Sequence, residues 1–86
     1  MTEELCTGTI IEVDTRLYGF ELAVILYFIP PDHVEVTPFI NGRIPRAGGT
    51  IPTTDVVKII KYLEPEEFVL LEGRYPKEYL EACLNK

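Results

Sequence analysis

Leu22-Ala23-Val24-Ile25-Leu26-Tyr27-Phe28-Ile29 is the stretch on which the fold turns. Glu21 precedes it and Pro30-Pro31 closes it. A membrane-spanning helix needs about 20 apolar residues, so this run is far too short to be one. Its β-branched, aromatic and aliphatic side chains favour an extended strand. Strict alternation places Leu22, Val24, Leu26 and Phe28 on one face and Ala23, Ile25, Tyr27 and Ile29 on the other. Both faces are apolar, and each needs a cover.

Upstream, Leu5 to Val13 alternates in Thr, Ile and Val, and the polar segment Asp14 to Gly19 joins it to the apolar run as an antiparallel hairpin. Downstream, neither Pro30 nor Pro31 can donate to a sheet, so a turn follows. Val34 to Ile40 resumes the alternation, with Pro38 marking an edge position or a bulge. Asn41-Gly42 is a tight-turn signal because both residues tolerate positive φ, and a short fourth strand is expected from Arg43.

From Thr53 the period changes. Val56, Val57, Ile59, Ile60 and Leu63 share one helical face after a Thr-Thr-Asp cap, which predicts a helix over 55–63; the β-branched content leaves a strand as the alternative. Phe68 to Leu71 suits a buried strand, against a short helix opened by Pro65 and ended by Gly73. Pro76 opens a final helix on which Tyr79, Leu80, Cys83 and Leu84 recur at helical spacing. The sum is a single α+β domain over residues 1–86: a two-layer, mainly antiparallel sheet of four to five strands with two helices packed on one face.

Two helices cover one sheet face only, so the strip Ala23, Ile25, Tyr27 and Ile29 is expected to form a homodimer interface. A sheet curled over itself is the alternative.

The composition is that of a folded chain, with 47% hydrophobic residues and a net charge of −6 from 14 acids and 8 bases. Such acidity argues against direct binding of nucleic acid, which needs a basic face. There is no serine, which excludes a serine nucleophile, and the wealth of Ile, Glu and Pro fits thermophilic usage. Met1-Thr2-Glu3-Glu4 carries acids where an export signal carries bases. A cytoplasmic location away from membranes is the expectation.

Residue types that carry chemistry are sparse. His33, the only histidine, has no ligand partners at useful spacing and reads as a turn residue. Cys6 and Cys83 stand near opposite ends of the chain without a C-x-x-C element; two buried thiols is one reading and a disulfide between them the other. Glu64, Glu66, Glu67 and Glu72 read as a solvated turn. Between Glu35 and Asp55 there is no acid, and that segment holds Arg43, Arg46, Gly48 and Gly49. Two guanidinium forks and glycine amides there form a candidate anion site. No catalytic set, metal cluster or cofactor motif assembles. The functional expectation is therefore a small acidic, non-enzymatic protein-interaction module that self-associates. The alternative is a small enzyme or anionic-ligand-binding protein built on the Arg43/Arg46 loop, with His33 and Tyr18 as further contributors.

Overall fold

A computed structural model describes residues 6–45 and 48–75. Among these residues are five strands: β1 (Thr9–Val13), β2 (Leu22–Ile29), β3 (His33–Pro38), β4 (Gly49–Pro52) and β5 (Val56–Tyr62). All neighbours pair antiparallel, in the order β4-β3-β2-β1-β5. A four-residue helix, α1 (Thr15–Tyr18), sits in the β1–β2 connection. Three-residue and seven-residue 3-10 turns occupy Thr53–Asp55 and Pro65–Leu71. The fold is mostly sheet, and no helix among the described residues is long and apolar enough to cross a membrane.

The predicted helix over 55–63 is instead β5, paired along β1 from Thr9↔Tyr62 to Val13↔Val56. Four β-branched residues in five positions lose little rotamer freedom in a strand, and β1 offers an otherwise unpaired edge. The Thr-Thr-Asp signal folds as the 3-10 turn before it. Phe68 to Leu71 is not a strand either. Glu64 and Glu67 form a reciprocal capping box that starts the 3-10 turn, which ends at Glu72 and Gly73, both at positive φ. Arg43 makes a single bridge to Ile40 rather than a strand, and the fourth strand begins at Gly49. The helix expected from Pro76 lies outside the described residues.

The connection between β4 and β5 dictates the shape. Pro52 pairs with His33, which pairs with Ile29, while Val56 pairs with Val13 near the Glu12↔Leu22 level. In a flat sheet those two points would lie about 23 Å apart along the strands and about 19 Å across them. Four Cα steps reach at most about 14 Å. The sheet must therefore roll so that its two edges approach.

One apolar cluster records that roll. Ile11 and Val13 of β1, Ala23 and Ile25 of β2, Val34 and Val36 of β3 and Ile51 of β4 are all buried together, and Val56 and Ile59 of β5 pack against them. Residues of both edge strands thus share one interior. On the outer face Ile10, Val24, Leu26 and Leu63 are covered by Leu71 and Phe68 from the 3-10 turn. Burying a side chain such as Leu71 contributes about 1.5–3 kcal/mol.

Both faces of β2 are covered, one by the sheet itself and one by the chain after β5. Its alternation is also broken. Ile25 pairs with Val36 but Tyr27 pairs with Glu35, so Leu26 is an extra residue, a β-bulge. Tyr27 therefore joins Leu22, Val24 and Leu26 on the outer face, and Phe28 turns to the interior. The strict partition expected from the sequence holds only as far as Leu26. Pro38 ends β3 opposite Ala23, beyond the last β4 partner at Val36. On that side β3 is an edge, as proline requires.

Candidate functional site

The strip Ala23, Ile25, Tyr27 and Ile29 does not form one surface. Ala23 and Ile25 are 0% exposed in the single chain, Tyr27 is half-buried on the opposite face, and Ile29 is half-buried at the β2–β3 turn. A partner could not reach the first two without opening the interior. The rolled sheet supplies the cover that two helices alone could not.

Exposed apolar side chains gather elsewhere. Val57 (60% exposed), Ile60 (42%) and Tyr62 (54%) lie on β5, with Val69 (74%) and Leu70 (42%) on the 3-10 turn that follows. The β1–β5 register slips between Ile10 and Ile11 and again between Glu12 and Val13. Val57 and Ile60 are the residues skipped at those slips. As bulged residues on an outermost strand they stand clear of the pairing. Lys58 and Lys61 share this strand, Lys58 lying 3.8 Å from Glu12 across the sheet. Bulges and lysines together stop another strand from extending the sheet here. What this surface presents is side chains rather than free backbone.

Sequence reasoning missed this surface because it placed Val57 and Ile60 on the buried face of a helix and Val69 and Leu70 in a buried strand. The density of β-branched residues was the signal for a strand.

The candidate anion loop is placed in part. Asn41 (φ 52°) and Gly42 (φ 75°) form the expected tight turn, closed by reciprocal 2.9 Å backbone hydrogen bonds between Ile40 and Arg43. Arg43 is exposed and its guanidinium has no hydrogen bond or ion pair among the described residues; Arg46 lies outside them. Two open hollows flank the turn and share Ile40 and Asn41: one is lined by Arg43, Ile44 and Pro45, the other by Phe20, Leu22 and Phe39. The guanidinium beside Gly48 belongs to Arg74, not Arg43. A Cβ on Gly48 would stand 3.1 Å from Arg74 Nη2 and 2.9 Å from the Val36 carbonyl. Gly49 has open space around it.

Pro45 is held from two sides: its carbonyl accepts from Thr37 Oγ1 at 3.0 Å and from Arg74 Nη1 at 3.1 Å. Those bonds fix the hairpin that carries Arg43. Neither was visible in the sequence, because Arg74 is remote from the loop along the chain.

The other chemistry-bearing residues do not converge on Arg43. His33 Nδ1 lies 2.9 Å from Asp32 Oδ1 at the turn entering β3, and Arg43 lies past the other end of that strand, more than about 17 Å of extended chain away. Tyr18 donates its hydroxyl to Asp55, which pins α1 to the β4–β5 connection. That bond, then burial, then the Asp55 charge push its phenol up to about 12. A phenol so held is a strut rather than an acid or base near neutrality. Cys6 is half-buried and its amide donates to Thr9 Oγ1, while Cys83 lies outside the described residues. Among the described residues no three of His, Cys, Asp and Glu gather as a metal site would require.

No protein-family model, curated protein or solved structure matches the chain.

Proposed function

We propose that this chain is a non-enzymatic protein-interaction module that self-associates, and that its contact surface is β5 with the 3-10 turn after it. One observation carries the reading: among the described residues seven large hydrophobic side chains are exposed, and five of them fall on that continuous piece of chain, Leu17 and Ile40 being the others. Apolar residues scattered singly over a surface need no explanation, but a concentration of this kind marks an interface. The separation of His33 from Arg43 and the engagement of Tyr18 by Asp55 support a binding role over catalysis.

Sedimentation across micromolar concentrations tests it. A species near twice the 9.8 kDa chain mass, reduced to monomer by Val57→Glu with Ile60→Glu, is the expected result. Both positions are exposed, so the variant keeps its circular dichroism spectrum. A wild type that stays monomeric throughout, or a folded variant that stays dimeric, overturns the proposal.

Arg43 favours a second reading, since a guanidinium without a partner borders an apolar hollow. In that reading the loop of Arg43, Arg46, Gly48 and Gly49 holds an anionic ligand. Titration with sulfate and nucleotides, compared between wild type and Arg43→Ala/Arg46→Ala, separates the two. Saturable binding lost in the variant supports this reading, and equal signals in both remove it.

A further inference from the structure

The contact surface of β5 is electrically divided along the chain. Lys58 and Lys61 stand on the strand, and Glu64 follows as the cap of the 3-10 turn that carries Glu66 and Glu67, with exposed Tyr62 between the two groups. Lys61 and Glu66 are both exposed and have no ion pair among the described residues. Glu64 and Glu67 each accept one backbone N–H in the capping box. A carboxylate has acceptor sites for several donors, so both keep capacity for a cation.

Two chains of net charge −6 repel one another in general, so an association between copies must match charge locally. The divided surface does this in one orientation. A two-fold axis beside Tyr62 lays the basic half of each copy over the acidic half of the other and brings the Val57 and Ile60 side chains into the same contact. The identical patch is used twice, so the assembly closes at two copies.

Resting on the function proposed above, we infer that the partner of this surface is a second copy of the chain, docked about a two-fold axis with Lys58 and Lys61 of each copy facing Glu64, Glu66 and Glu67 of the other. The bulges at Val57 and Ile60 keep the contact from being a sixth strand. The pairing weakens with salt because its charges sit at the rim, where screening acts.

Reciprocal charge reversal tests the orientation. Lys61→Glu and Glu66→Lys alter side chains that have no ion pair among the described residues, so each variant keeps the wild-type circular dichroism spectrum. Alone, each places like charges across both halves of the interface, and the dimer dissociation constant rises at least tenfold at low salt. Mixed in equal amounts, the two restore a wild-type-like dimer, since every reversed charge then meets its opposite. Recovery on mixing, lost in 1 M NaCl, supports the inference. Variants as dimeric as wild type, or a mixture that stays monomeric, overturn the orientation; if Val57→Glu/Ile60→Glu still abolishes dimerisation, the surface itself survives. A wild type that is monomeric at all concentrations overturns both.

Discussion

Thr7 donates its hydroxyl to the carbonyl of Leu26 at 2.6 Å, in the interior beyond the end of β1. Leu26 is the bulged residue of β2, whose backbone has left the regular pairing. The preceding carbonyl, of Ile25, is taken by the Gly8 amide at 2.8 Å. Together Thr7 and Gly8 satisfy the two acceptors that the bulge would otherwise strand. Thr7→Val keeps the shape and removes the donor, leaving a buried carbonyl unpaired at a loss of about 1–3 kcal/mol. Thr7→Ser restores most of it. Urea unfolding of the three proteins, with unchanged slope, checks this.

Gly8 meets Phe68 at van der Waals limits. A Cβ there would sit 2.6 Å from Phe68 Cζ, and the φ of +92° disfavours any L side chain. Gly8→Ala is expected to destabilise by more than about 1 kcal/mol from backbone strain alone, with displacement of the ring adding to it. Phe68→Leu in the same chain relieves the clash and leaves the strain. The double variant therefore loses less than the sum of the two single losses, which thermal melts of all four proteins resolve.

The features that the sequence revealed are those with polar punctuation. Glu21 and Pro30 bracket β2, and Asn41-Gly42 announces its turn. The bulge at Leu26 was hidden because a strand apolar on both sides carries no polar residue to show a change of phase. β5 was misread because Val-Val-Lys-Ile-Ile-Lys-Tyr satisfies a helical period as well as an extended one, and only pairing with β1 decides between them. Once β5 is a strand, the brevity of Thr53–Asp55 forces the roll that buries Ala23 and Ile25. Arg43, expected to open a strand after that turn, makes only a single bridge to Ile40, because the grip of Arg74 on Pro45 and the late start of β4 depend on tertiary structure alone.

The bond from Tyr18 to Asp55 makes stability depend on alkaline pH. The phenol is raised from an ordinary 10 to about 12 by its hydrogen bond to Asp55 first, then by burial and by the Asp55 charge. The folded state therefore holds this proton more tightly than the unfolded state does. Its contribution is complete below pH 10 and disappears as pH rises through about 12. Tyr18→Phe is expected to be less stable than wild type by about 1 kcal/mol at neutral pH. That difference shrinks to zero between pH 10 and pH 12, and a gap that persists at pH 12 would contradict it.

Ile25 and Ile60 separate interior from surface. Ile25 belongs to the cluster to which all five strands contribute, both edges included, and Ile25→Ala should lose about 2–5 kcal/mol through the cavity it leaves. Ile25→Glu should not fold, because a buried carboxylate without a partner exceeds what a domain of this size can absorb. Ile60→Glu should melt within a few degrees of wild type. Circular dichroism melts of the three distinguish a core position from a contact position before any assay of association.

Pro45 offers a test of how the Arg43 hairpin is held. Its carbonyl has two donors, Thr37 Oγ1 and Arg74 Nη1, so removing either leaves the other in place. Thr37→Val and Arg74→Met should each lose about 1 kcal/mol, the net worth of one hydrogen bond. Removing both leaves the carbonyl with neither side-chain donor, and the double variant should lose more than the sum of the single losses. The excess lies within the range of about 0.5–3 kcal/mol seen for residues sharing one partner. Amide exchange locates the effect: Arg43 N–H, which donates to the Ile40 carbonyl at 2.9 Å, should lose protection in the double variant while the amides of β1 keep theirs. Strict additivity with unchanged protection at Arg43 would mean that the tight turn holds itself and that the bonds to Pro45 do not position the hairpin.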